Sequence, residues 1–171
     1  MAGFAEWLQA TPVSVTIQSV KGVIPTLQSI HILTIGIVFV SSVMIALRVL
    51  GKMRADEPFD VVWARFAPWL WGGIVVMLVS GLTLVVGEPI REFNSLSFWI
   101  KMALVVVGVL STGALGRKLR PAGTTVSTEF SSAAKASAIA LIVLWVFIIF
   151  LGRAIAYDTE VWGSWSLHPP T

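Results

Sequence analysis

Four apolar runs constrain what this chain can become more than any other feature. They fall at about residues 25–50, 62–86, 96–115 and 134–157, and crossing the core of a bilayer takes about 20 residues of helix. Each is predicted to be helical, because a lone lipid-exposed strand would leave its backbone polar groups unpaired. The connections "GKMRADEPFD", "GEPIREFNS" and "GRKLRPAGTTVSTEFSS" are short, and no repeat, linker or second domain interrupts them. The expected fold class is all-α: an integral membrane four-helix bundle, as a single membrane domain over residues 1–171.

Composition points the same way. Only 12 % of residues are charged and 56 % are hydrophobic, against a charged share of about 25 % in soluble domains. The net charge of +3 comes from cations flanking the apolar runs, which suits topogenesis and lipid headgroups rather than nucleic acid. The lipid bilayer is the expected partner, and no nucleic acid is. The absence of cysteine excludes disulfides, thiolate metal sites and a Cys nucleophile.

The start, "MAGFAEWLQATP", lacks a basic segment followed by an apolar one, so no cleaved signal peptide is expected. Within residues 1–24, Phe4, Trp7 and Leu8 share helical spacing and Pro12 interrupts. One or two short interfacial helices are predicted there, with Trp7 at headgroup depth.

Orientation follows from Lys and Arg. Arg48, Lys52, Arg54, Arg65, Arg117, Lys118, Arg120 and Lys135 lie on one side, and Lys21, Arg91, Lys101 and Arg153 on the other. The more basic side is expected in the cytoplasm, which places both termini in the periplasm of a bacterial inner membrane. Arg48 and Arg65 are expected as topology anchors at the cytoplasmic ends.

Small residues let helix backbones approach where lipid offers no hydrophobic gain. Gly108, Thr112 and Gly116 recur at four-residue spacing in the third span; Gly72, Ser80 and Gly81 are the counterparts in the second, and Ala133, Ala136, Ser137 and Ala140 in the fourth. These stripes predict packing within the bundle or between protomers. Pro68 is expected in the first turns of its helix, where a missing N–H costs little. Trp63, Trp69 and Trp71 are expected to form one interfacial belt, and Trp162 and Trp165 another.

His31 is the single histidine within a span. It lies roughly 9 Å below the outer end at 1.5 Å per residue. Lys101 and Met102 sit at comparable depth in the third span, and Arg153 about four residues from the end of the fourth. Three helices therefore place His31, Lys101 and Arg153 in one layer, with Glu88, Arg91, Glu92, Tyr157 and Asp158 just above. Ionisable groups in a span mark a functional site by default. Lys101 and Arg153 could equally snorkel outward or pair with Glu88 or Asp158. On a helical wheel Thr34, Ser41 and Arg48 recur every seven residues and His31 stands about 60° from Thr34. That stripe is expected to face the bundle.

His31 then has three roles open to it: an imidazole hydrogen-bonded across helices, a ligand to haem or metal, or a proton relay. Haem b in four-helix membrane cytochromes is commonly held by two histidines, which one bundle of this chain cannot supply. The iron would take His31 with Met102, His31 from two protomers, or His31 alone, with Lys101 and Arg153 meeting the propionates. His168, in the tail "WSLHPPT", is expected in a disordered end. Copper on His31 and methionines suits ligand softness, though Met77 lies deep and no Met cluster appears. No nucleophile elbow, phosphate loop, HExxH or intramembrane carboxylate pair is present, so an enzyme is not expected. An ion-coupled transporter is disfavoured too, with no inverted repeat and no acidic residue in a span core.

The segments "PTLQSIHILTIGIVFVSSVMIALRVLG", "FAPWLWGGIVVMLVSGLTLVV" and "NSLSFWIKMALVVVG" resemble a group of small bacterial four-helix inner-membrane proteins of unknown function, distantly similar to the membrane domain of copper resistance protein D. The resemblance rests on His31, Leu47 to Gly51, Pro68 to Gly72, and Phe98 with Lys101. It departs at Ala46, where the family often has an acidic residue. It implies the fold and a role for His31, and no established activity. The expected function is a small non-catalytic inner-membrane subunit, binding haem b for electron transfer; the alternatives are a structural subunit of a larger membrane complex or homo-oligomer, and copper handling.

Overall fold

The computed structural model of the protein describes residues 2–120 and 129–167. His168 and residues 121–128 of the third connection, about which the sequence raised expectations, lie outside the described residues. Helices α1 (Ala2–Gln9) and α2 (Pro12–Ser19) precede α3 (Val23–Val49) and α4 (Phe59–Gly87); α5 (Pro89–Phe93) leads into α6 (Leu96–Leu119), then α7 (Ser132–Ala154) and α8 (Asp158–Trp162). Short 3-10 turns flank α8 at Ile155–Tyr157 and Gly163–Trp165. No strand occurs among the described residues. Helices α3, α4, α6 and the run from Ser132 onward are long and apolar enough to span a membrane. The protein is an all-α membrane four-helix bundle.

Local chemistry sets the boundaries. Thr11 caps α2 by accepting from the Ser14 N–H, with Pro12 at the first helical position. Ser95 caps α6 and Ser131 caps α7 in the same way. Helix α6 continues to Leu119, four residues past the predicted end, with Arg117 and Lys118 in its last turn, where cations favour the negative end of the helix dipole. Helix α4 begins at Phe59 rather than Val62, so Pro68 lies inside it and not in its first turns. Proline there removes the hydrogen bond to the Ala64 carbonyl.

Helix α3 packs most extensively on α4, and α6 on α7, with α3 joining the two pairs through α7. The backbones of α4 and α6 barely approach. Tryptophans fill that seam: the buried Trp63 packs on Gly116, and Trp71 lies 3.6 Å from where a Gly113 Cβ would stand. The expected belt therefore keeps only Trp69, which is 65 % exposed. Indoles reach across a gap that Leu could not close, which draws Trp63 and Trp71 inward.

The small-residue stripe of α7 is shifted by one position, and in α4 Gly72 is displaced while Ser80 and Gly81 stay in packed positions. Gly72 faces open space, and Gly73 is the residue under α3, with Val38 Cγ2 2.8 Å from its would-be Cβ. In α7 the buried positions are Ala134, Ala138, Leu141 and Trp145, while Ala133, Ala136, Ser137 and Ala140 face outward. Gly108, Thr112 and Gly116 are buried as expected. The Thr112 hydroxyl donates to the Gly108 carbonyl at 2.7 Å. At the outer end, Phe4 of α1 stacks edge-on against Phe93 of α5 at 5.5 Å, and Ile17 of α2 lies against Gly87 of α4.

Candidate functional site

The predicted polar stripe of α3 faces the bundle: Thr34, Ser41 and Arg48 are buried and His31 half-buried. About two turns inside α3, the His31 Nδ1 lies 2.9 Å from the Ser80 Oγ on α4. The Ser80 hydroxyl proton is taken by carbonyls of its own helix, Val76 at 2.8 Å or Met77 at 3.2 Å. With that proton so placed, the oxygen accepts from the imidazole, and in this tautomer the ring proton is on Nδ1 and a lone pair on Nε2. Gly81 makes room for the ring, because a Cβ there would stand 3.1 Å from His31 Cε1. Ser80 and Gly81 look like packing residues in the sequence; only the fold shows that they hold the histidine.

Lys101 comes from α6 and runs past α7, its Cδ 3.9 Å from a would-be Gly152 Cβ and its Nζ 5.8 Å from the Phe98 ring centroid. From there its charge acts on both His31 and Glu92. Arg153 does not join them. It is exposed and lies 5.8 Å from the Tyr157 ring centroid. Met102 is also on α6, which packs along α7 and not along α3, so no helix pairing sets it opposite His31. No group of three or more His, Asp or Glu side chains placed to hold a metal occurs among the described residues. Neither of two surface depressions, one between Leu33 and Trp69 and one at Lys21, is lined by His31.

The acidic residues above the layer have partners other than those expected. Glu88 accepts from Arg91 at 2.8 Å. Asp158 accepts from the Ser95 Oγ at 2.7 Å, the Ser97 N–H at 3.0 Å, the Leu96 N–H at 3.3 Å and the Ser166 Oγ at 2.8 Å. Trp162 adds a bond from its Nε1 to the Ser97 Oγ at 2.8 Å. This clasp ties the chain after α7 to the start of α6, the helix that carries Lys101.

Glu92 is buried beneath α1, 8 % exposed. Burial pushes its carboxyl above the usual carboxylate range; Lys101 and then Arg91 pull it back, and Glu88 pushes it further up. A raised value in the folded state means that the protonated form favours folding. That stability is fully present below the ordinary value of 4.5 and is lost as pH rises through the raised one. Glu92→Gln should remove this dependence and melt higher than the parent at neutral pH. Thermal unfolding of both proteins from acid to neutral pH checks it, and parallel curves would refute it.

No curated protein and no solved structure matches the chain. Residues 4–158 match a family of unknown function, DUF6644, and the chain belongs to that family.

Proposed function

We propose that this protein is a small non-catalytic subunit of a bacterial inner membrane, binding haem b on His31 near the periplasmic side. The observation that carries the reading is the Nδ1–Ser80 bond. Histidines that ligate a metal characteristically donate their other N–H to a fixed partner, which sets the tautomer and aims the free nitrogen. Ser80 does this for His31, and Lys101 supplies a cation for a propionate. Of the residues here, His31 would supply one ligand to the iron. With Met102 on a helix that does not pack along α3, a second protein ligand would have to come from His31 of another copy.

A second reading has its own support in the close seat that Gly81 gives the imidazole. There His31 is only an interhelical tie in a structural subunit, at about 0.6 kcal/mol, the mean for such bonds in a membrane protein. The visible spectrum of the purified full-length protein, with and without added haem b, separates the two. Haem binding should give a Soret band that disappears in His31→Ala, with affinity at least about tenfold weaker in Ser80→Ala. Equal haem uptake by His31→Ala, or none by the parent, would overturn the haem reading. Stoichiometric copper lost with the same substitution would establish copper handling instead.

A further inference from the structure

The basic end of the bundle, opposite the His31 end, holds polar groups that the proposed haem site does not use. Arg48 closes the last turn of α3, yet it is only 3 % exposed. Its Nε donates to the Glu57 carbonyl at 2.7 Å, and its guanidinium lies 5.6 Å from the Phe130 ring centroid. Its Nη2 is buried with no hydrogen-bond partner among the described residues. The same Glu57 receives two more guanidiniums on its carboxylate, from Arg54 Nη1 and from Arg65 Nη1, the latter at 2.9 Å. Hydrogen bonds from Arg65 and then Arg54 hold this carboxyl below the usual range. The Arg54 Nε is again buried, with no partner among the described residues.

Topology anchoring accounts for little of this. Cations that orient a span need only be at its end, in water. Here three arginines converge on one residue, and Arg54 adopts a φ of 51° to reach it, a left-handed conformation unfavourable for any residue with a Cβ. Arg54 and Arg65 remain 37 % and 44 % exposed at their side chains, so each keeps an exposed edge, the buried Arg54 Nε apart. The connection joins two spans, which puts those edges at headgroup depth.

We propose that Arg54 and Arg65, splayed on Glu57 and backed by Arg48, form a phosphate-binding site. Its ligand is a phosphodiester of an anionic phospholipid, or a free phosphate of the same chemistry. Three guanidiniums against one carboxylate leave an excess of positive charge at the cluster, and the planar fork of arginine matches two phosphate oxygens. Lys52 adds a further cation; Asp56 is exposed, and Asp60 is half-buried with Oδ1 unpartnered, so these two carboxylates oppose the field. The Glu57 charge is shared by Arg54 and Arg65, and no ion pair to Arg48 occurs among the described residues. Basic pockets at the ends of spans take phospholipid headgroups in this way.

The test uses the full-length protein in a neutral detergent, titrated with short-chain phosphatidylglycerol, short-chain phosphatidylcholine or inorganic phosphate while thermal unfolding is followed by tryptophan fluorescence. Phosphatidylglycerol should raise the midpoint saturably, and phosphatidylcholine should not. In the double variant R54Q/R65Q the apparent Kd should weaken about tenfold or more, equivalent to 1.4 kcal/mol, while K118Q/K135Q, an equal charge change elsewhere at this end, should leave it unaltered. If the double variant does not fold, R65Q alone, at an exposed position, must weaken binding in the same direction. Inorganic phosphate that reproduces the rise and displaces the lipid identifies free phosphate as the ligand; inert phosphate identifies the lipid. Equal responses to the two lipids, or unchanged binding in the arginine variants, would overturn the proposal.

Discussion

Asp158→Ala is expected to destabilise the protein by about 3 kcal/mol, the largest loss for any single side chain outside the bundle core. The carboxylate accepts four hydrogen bonds, two of them from backbone N–H groups at the start of α6. Hydrogen bonds to a charged group contribute about 1.5–3 kcal/mol each, though bonds sharing one carboxylate do not add independently. A negative charge at a helix N-terminus contributes a further share of about 0.3–1 kcal/mol. Asp158→Asn keeps one accepting oxygen and should lose roughly half as much. Thermal unfolding measures the cost, and hydrogen exchange over residues 155–167 shows where it falls. An unperturbed exchange profile in Asp158→Ala would mean that the segment after α7 is held by its apolar contacts instead.

Gly116→Ala should cost about 1–3 kcal/mol, the usual range for overpacking a core, although it adds one methyl group and alanine favours helix. The added Cβ would overlap the Trp63 ring, and Trp63 is buried, with little room to withdraw. Gly36→Ala is the matched control. Nothing stands within 4 Å of its would-be Cβ, so relief of glycine's helix penalty should make it neutral or stabilising by about 1 kcal/mol. A smaller side chain at position 63 should recover part of the Gly116→Ala loss, because adjacent residues couple. Equal melting of the two glycine variants would show that Trp63 moves freely in the seam.

Much of the architecture was legible because bilayer thickness and backbone satisfaction leave few options. Four runs of about 20 apolar residues can only be spanning helices, and the seven-residue recurrence of Thr34, Ser41 and Arg48 set the inward face of α3 correctly. Which neighbour each face meets was not legible. Gly72 and Gly73 are adjacent glycines in one apolar run, and only the docking of Val38 distinguishes them. Trp63 and Trp69 look alike in sequence, yet one fills a seam and the other faces outward. The site shows the same division. Depth placed His31 and Lys101 together, since depth is a count along the helix. It could not exclude Arg153, whose direction depends on the rotation of α7, nor reveal Ser80, Glu57 or Asp158 as partners. Those bonds close between residues 49, 9 and 61 to 63 positions apart, where no local pattern reports them.

The pairing of α3 with α4 and of α6 with α7, joined by α3 on α7 and by indoles between α4 and α6, bears on how the chain is made. Its most extensive contacts join helices that follow each other in synthesis, which is the low-contact-order arrangement that forms quickly. The first hairpin is complete in sequence once Gly87 has been delivered, and it can close without the rest of the chain. His31 and Ser80 both belong to that hairpin, so their bond needs nothing from the later chain, and Lys101 is delivered after them. The late step is the arrival of the second hairpin, whose α7 must settle on α3 and whose trailing Asp158 must then reach back to Ser95.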